Sequence, residues 1–134
     1  MDRLKVIHDQ HGKRVITVFS WETEVEASKF FSEDTEILQV GLIVIKPDKP
    51  VLRHVHNNIS RKTVGTSEVL IVIEGEALMS VYSQEEEFIE SVRVHKGDVI
   101  CLISGGHGFS SEGNAKFIEV KNGPFAAELD KRYF

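Results

Sequence analysis

The chain has 134 residues, a length that predicts one domain at about 100–200 residues per domain. Its 41% hydrophobic and 28% charged residues are typical of a globular domain and exclude intrinsic disorder. The 16 Lys and Arg residues against 21 Asp and Glu residues give a net charge of −5. This balance argues against a nucleic-acid partner and against docking on an anionic membrane.

The single cysteine, Cys101, makes an internal disulfide impossible and excludes a zinc site built from cysteines. Cys101 lies within an apolar run, which predicts a small buried side chain. The N-terminal residues lack the apolar run of a signal peptide, and the longest apolar run, near residues 40–45, is far shorter than the roughly 18 residues that span a bilayer. We therefore expect a cytoplasmic protein with no membrane partner.

Short apolar runs separated by turn residues recur along the chain at the spacing, about 8–12 residues, that is typical of a β-sandwich or barrel. The predicted strands are, in chain order, Val15–Phe19, Ile37–Ile45, Val69–Ile73, Ala77–Tyr82, Phe88–Val94, Val99–Ile103 and Lys116–Val120. Glu22–Phe31 and Pro124–Tyr133 are each compatible with one or two helical turns. The predicted fold class is all-β, a jelly roll (double-stranded β-helix) with little helix.

Two histidines with a spacing that suits a metal ion stand in the middle of the chain. His54 and His56 are two residues apart, and residues i and i+2 of a strand point to the same face. The pair by itself is weak evidence, because chance predicts about 0.3 such pairs in a chain with six histidines. Glu68 opens an apolar strand, where an unpaired carboxylate is costly unless a metal or a partner binds it. His107 follows a glycine turn and enters another β run.

The order of these residues resembles the cupin superfamily. His54 and His56 are similar to the histidine pair of the first cupin motif, and Glu68, six residues and Gly75 match its second half. Eleven residues separate His56 from Glu68, more than the family pattern has, so a longer loop is expected there.

The second cupin motif is similar to Gly97–His107, with Ile103 in the place of the family's proline. The resemblance covers about residues 38–120. It implies one cupin-like domain over residues 1–134, in which N-terminal strands and a C-terminal segment pack on that core.

The resemblance also implies that His54, His56, Glu68 and His107 bind one divalent transition metal. Three imidazoles and a carboxylate suit iron, manganese, nickel or zinc, and such a set leaves positions open for a small molecule, water or dioxygen. The C-terminal residues resemble small cupins encoded among bacterial surface-polysaccharide biosynthesis genes. That likeness implies a small polar, sugar-derived ligand, by analogy alone.

The candidate substrate-binding residues are Arg53, Arg61, Lys62 and Tyr82. The first three lie near the two histidines and suit phosphate or carboxylate, with solvated loop charges as the alternative. Tyr82 would line the cavity or pack outside it. No catalytic residue is assigned.

Two other functions remain open on the sequence alone. One is a metal-independent sugar-nucleotide isomerase or epimerase in which a barrel histidine acts as the base. The other is a ligand-binding module without catalysis. A homodimer is expected, because edge strands need cover and two-fold dimers are the commonest assemblies.

Overall fold

A computed structural model describes residues 3–134, apart from the side chain of Glu128. Its strands are β1 (Leu4–His8), β2 (Arg14–Ser20), β3 (Lys29–Phe30), β4 (Gly41–Leu42), β5 (Glu68–Glu74), β6 (Glu76–Tyr82), β7 (Phe88–His95), β8 (Asp98–Leu102), β9 (Gly106–Ser110) and β10 (Lys116–Lys121). One 3₁₀ turn, Ala127–Leu129, follows the last strand. The all-β prediction is confirmed.

The strands form three antiparallel sheets. A five-stranded sheet has the order β1-β2-β8-β5-β10, a three-stranded sheet has the order β7-β6-β9, and β3 pairs with β4. These sheets do not close into a barrel within residues 3–134. No helix in this range is long and apolar enough to cross a membrane.

Six of the seven predicted strands are confirmed to within two residues, as β2, β5, β6, β7, β8 and β10. The prediction of a strand over Ile37–Ile45 was wrong except at Gly41 and Leu42. Leu38, Val40 and Leu42 instead pack on the five-stranded sheet from outside. Glu22–Phe31 forms no helix, and Pro124–Tyr133 contains only the 3₁₀ turn.

The larger apolar core lies between the five-stranded and the three-stranded sheets. It joins alternate residues of β5, Leu70 and Val72, to Met79 and Val81 of β6. The intervening residues of β5 face a second core on the outer side of the five-stranded sheet. Because both faces of this sheet are covered, β5 and β8 are nearly continuous apolar runs rather than alternating ones.

The second core is built around two stacked rings. Phe19 of β2 and Phe31 have ring centroids 4.0 Å apart and nearly parallel planes. Phe19 is 1% exposed, and Val99 and Cys101 of β8 complete the cluster. The chain from Phe31 to Leu42 is therefore anchored on the sheet by packing, although little of it forms a strand.

Cys101 is expected to be inert in the folded protein. It is buried, and its burial, with a contribution from the charge of Glu36, raises the pKa of its thiol to about 12. Since the thiolate is the reactive form, an aromatic disulfide reagent should label Cys101 only after the protein is unfolded in guanidinium. Rapid labelling of the native protein would contradict this placement.

Candidate functional site

Glu68 lies at the entrance to the space between the two large sheets. It is the first residue of β5 and shares the inward face with Leu70 and Val72. Its side chain is only 16% exposed, and the charge of Glu119 on the neighbouring β10 acts on its carboxyl. Burial, followed by the charge of Glu119, raises the pKa of the Glu68 carboxyl above its usual value.

His107 comes to the same place from the opposite sheet. It lies in β9, where it pairs with Val81 of β6. The turn before β9 depends on Gly105, which has φ +73°, and a Cβ there would lie 2.3 Å from the backbone oxygen of Tyr82. This turn directs the chain so that His107 Nε2 lies 3.7 Å from Glu68 Oε2.

The environment of His107 favours the neutral imidazole. Its side chain is 31% exposed. Burial, followed by the charge of Lys131, lowers the pKa of His107 below its usual value, and the negative charge of Glu119 opposes this shift. The 3.7 Å separation from Glu68 is longer than a hydrogen bond, so both groups remain available to a third molecule.

A cavity of about 640 Å³ opens beside this pair, a volume within the usual range for small-molecule sites. Glu68, His107, Thr66 and Ser104 lie on the sandwich side of the cavity. The C-terminal residues 129–134 form the opposite wall. A small polar molecule in this space would contact the carboxyl and the imidazole at once.

His54 and His56 lie outside this arrangement. The expected strand around them is not formed, because residues 50–67 have no regular secondary structure and most of their side chains are exposed. Pro50 lacks the N–H that a strand needs, and Val55 is 88% exposed, so no sheet face holds the segment. The two rings remain neighbours, with centroids 5.2 Å apart.

The structure thus brings together two of the four predicted metal ligands, Glu68 and His107. Among residues 3–134, no group of three or more His, Cys, Asp or Glu side chains is close enough together to hold a metal ion. The four-ligand metal site stays a prediction.

The predicted substrate-binding residues are also dispersed. Arg53, Arg61 and Lys62 are exposed on the irregular segment, away from the described lining of the cavity. Tyr82 ends β6 and packs edge-on against Phe134, with ring centroids 5.1 Å apart. It therefore supports the C-terminal wall rather than the space between the sheets.

The sequence did not point to Glu119 or Lys131, whose charges act on the Glu68 and His107 pair, nor to the other charged residues of the cavity lining, which are Glu86, Asp130 and Arg132. Glu119 had a usable signal, because it lies two residues after Phe117 and so shares the inward face of β10 with it. Lys131 had none, since its place depends on how the C-terminal residues fold back over the sheets.

Glu68→Gln is expected to stabilise the protein at neutral pH by roughly 1 kcal/mol, because it removes a carboxyl whose ionised form is disfavoured by burial. A carboxyl with a raised pKa binds its proton more tightly in the folded than in the unfolded chain. Its contribution to stability is complete below the usual value of 4.5 and is lost as the pH rises through the folded-state pKa. In urea unfolding, the free energy of unfolding of the variant should therefore increase relative to that of the wild type as the pH rises. An equal difference at acidic and neutral pH would contradict the shielded placement of Glu68.

Comparison of the chain with protein-family models, with curated proteins and with solved structures found no match in any of the three.

Proposed function

We propose that the cavity binds a small polar molecule and that Glu68 and His107 act on it together. The observation that carries this proposal is the 3.7 Å approach of His107 Nε2 to Glu68 Oε2 on the cavity wall. The two groups come from different sheets, so the pair exists only in the folded protein. Paired titratable groups with perturbed pKa values in a cavity are typical of functional sites.

The chemistry that suits the pair is proton transfer. A neutral imidazole accepts a proton, and a carboxyl whose pKa is raised holds its proton more tightly than a free carboxyl, which suits a general acid. With a hydroxy-carbonyl compound such as a sugar, His107 Nε2 would take the proton from the carbon beside the carbonyl while Glu68 donates its proton to the carbonyl oxygen. The product is an enediol, and return of both protons gives an isomer or epimer and regenerates the two groups.

Ligand-observed NMR with a panel of aldoses, ketoses, sugar acids, sugar phosphates and nucleotide sugars tests this function. We expect binding by at least one class, and exchange of its carbon-bound proton with D₂O. Exchange should be lost in the Glu68→Gln/His107→Gln double variant, and both binding and exchange should be kept in His95→Gln, because His95 lies outside the cavity. Binding without exchange would favour a ligand-binding module, and no binding by any class would overturn the proposal.

A cupin-like jelly roll is part of the proposal. Its support is the pairing of strands that are distant in sequence, namely β2 with β8, β5 with β10 and β6 with β9. In the described chain, β9 ends the three-stranded sheet and β10 ends the five-stranded one, and the contact between Phe109 and Phe117 brings these two edges together. The homodimer expected from the sequence stays a prediction.

A metal centre is the second candidate function. It is favoured by the position of His107 on β9, the end strand of its sheet. Pairing of residues 52–56 with that edge would place His54 and His56 in the strand next to His107. The donors among residues 3–134 are not gathered in this way.

Elemental analysis of the tag-free protein beside a His54→Ala/His56→Ala variant tests this candidate. Near one equivalent of iron, manganese, nickel or zinc in the wild type, lost in the variant, would support the four-ligand site. The same metal content in both proteins would exclude His54 and His56 as ligands.

A further inference from the structure

The last six residues of the chain cross the entrance to the cavity and are tied to it at several points. Thr66 donates a hydrogen bond to the Asp130 carboxylate, and Lys121 Nζ lies 3.6 Å from the same group. Arg132 forms an ion pair with Glu86, in the turn between β6 and β7. Asp130 is thus fixed to one side of the entrance and Arg132 to the other.

Lys131 stands between these two anchors and lines the same cavity as Glu68 and His107. Its positive charge helps to lower the pKa of His107 and opposes the rise in the pKa of Glu68. The anchors on either side restrict the backbone at Lys131, although its side chain is exposed. The two anchors therefore keep Lys131 at the entrance to the cavity.

The charge of Lys131 is available to a ligand. The other charged members of the C-terminal wall are matched, Asp130 by Lys121 and Arg132 by Glu86. Lys131 forms no ion pair with any side chain that the structure describes. Burial raises the pKa of the Glu68 carboxyl, which weakens that group as a partner for the ammonium.

We propose that Lys131 binds an anionic group of the small molecule, so that the ligand class is a phosphorylated or carboxylated polar compound. This inference rests on the proposed function of the cavity. An ammonium at the entrance would bind the anionic end, and the rest of the molecule would extend toward Glu68 and His107. A charged hydrogen bond of this kind orients the ligand as well as adding affinity.

The cation at the cavity is not one of those expected from the sequence. Arg53, Arg61 and Lys62 were predicted to bind such a group, but they lie on the exposed segment and outside the described cavity lining. Lys131 lies at the cavity only because the C-terminal residues fold back over it.

The test measures binding of three probes of similar size, glucose 6-phosphate, glucuronate and glucose, by ligand-observed NMR at low salt. The wild type should bind one or both anionic probes about 10-fold more tightly than glucose, in keeping with one charged hydrogen bond. Lys131→Gln should lose this preference without weaker glucose binding, and Lys131→Arg should keep most of it. Lys116→Gln, which removes a lysine outside the cavity, is the matched control.

The two anionic probes distinguish a phosphate site from a carboxylate site. An unchanged preference for anionic probes in Lys131→Gln would overturn the inference. If Lys131→Gln keeps the preference for anionic probes and replacement of His107 still abolishes proton exchange, the proposed function stands and this inference fails. If the wild type binds none of the three probes and none of the wider panel, both fail together.

Discussion

Replacing His107 with glutamine is expected to lower proton exchange on the bound substrate by about 10²–10⁴-fold, the usual contribution of a general base. Glutamine keeps a polar side chain of similar reach but cannot accept the proton. Exchange of the carbon-bound proton with D₂O, followed by ¹H NMR, measures the rate at saturating ligand. Because the substitution removes the proton acceptor but keeps a polar contact, the affinity for the ligand should change far less than the rate of proton exchange.

His95→Gln is the matched control for this loss, since His95 is exposed at the end of β7 and takes no part in the cavity. Glu68→Gln should also slow exchange, because the carbonyl oxygen would lose its proton donor. An unchanged rate in His107→Gln would contradict the assignment of the base. The candidate base would then have to be sought among the other polar groups of the cavity.

Phe19→Ala is expected to cost about 3–5 kcal/mol of folding free energy, the range for truncating a buried phenylalanine. Phe19 is 1% exposed and stacks on Phe31 at 4.0 Å, so the substitution leaves a cavity and removes the aromatic contact. The melting temperature should fall by roughly 10–20 °C. Because this core anchors the chain that leads to Leu42, the irregular segment beyond it should also become more accessible to protease.

Phe125→Ala provides the control for this prediction. Phe125 is 86% exposed, and its truncation should change the free energy of unfolding by less than about 0.5 kcal/mol. Urea unfolding of both variants measures the difference. Equal stability of Phe19→Ala and wild type would contradict the second core.

The sequence was a sufficient guide to the strands that form the sandwich. Runs such as Val69–Ile73 and Val99–Ile103 combine β-branched residues with flanking turn residues, so their local preference and their burial agree. Ile37–Ile45 carries the same apolar signal but packs sideways on the sheet. The composition of a run does not distinguish a chain that joins a sheet from one that covers it.

The site was predicted only in part, for a similar reason. Glu68 and His107 each stand at the start of a strand, where a lone polar group beside apolar residues is a usable signal. The i, i+2 spacing of His54 and His56 predicts a shared face only if the segment is a strand, and the described segment has no sheet partner. The place of Lys131 depends on contacts between residues more than forty positions apart, such as Arg132 with Glu86. No local pattern encodes those.

An NMR titration of the histidine side chains tests most directly whether His107 lies with Glu68 in a shielded site. His107 is predicted to titrate below the usual value of 6.5, because burial and the charge of Lys131 both disfavour its protonated form. Lys131→Gln should move that pKa upward, toward the usual value. A wild-type His107 that titrates at or above the usual value of 6.5 and does not respond to the loss of Lys131 would contradict the site.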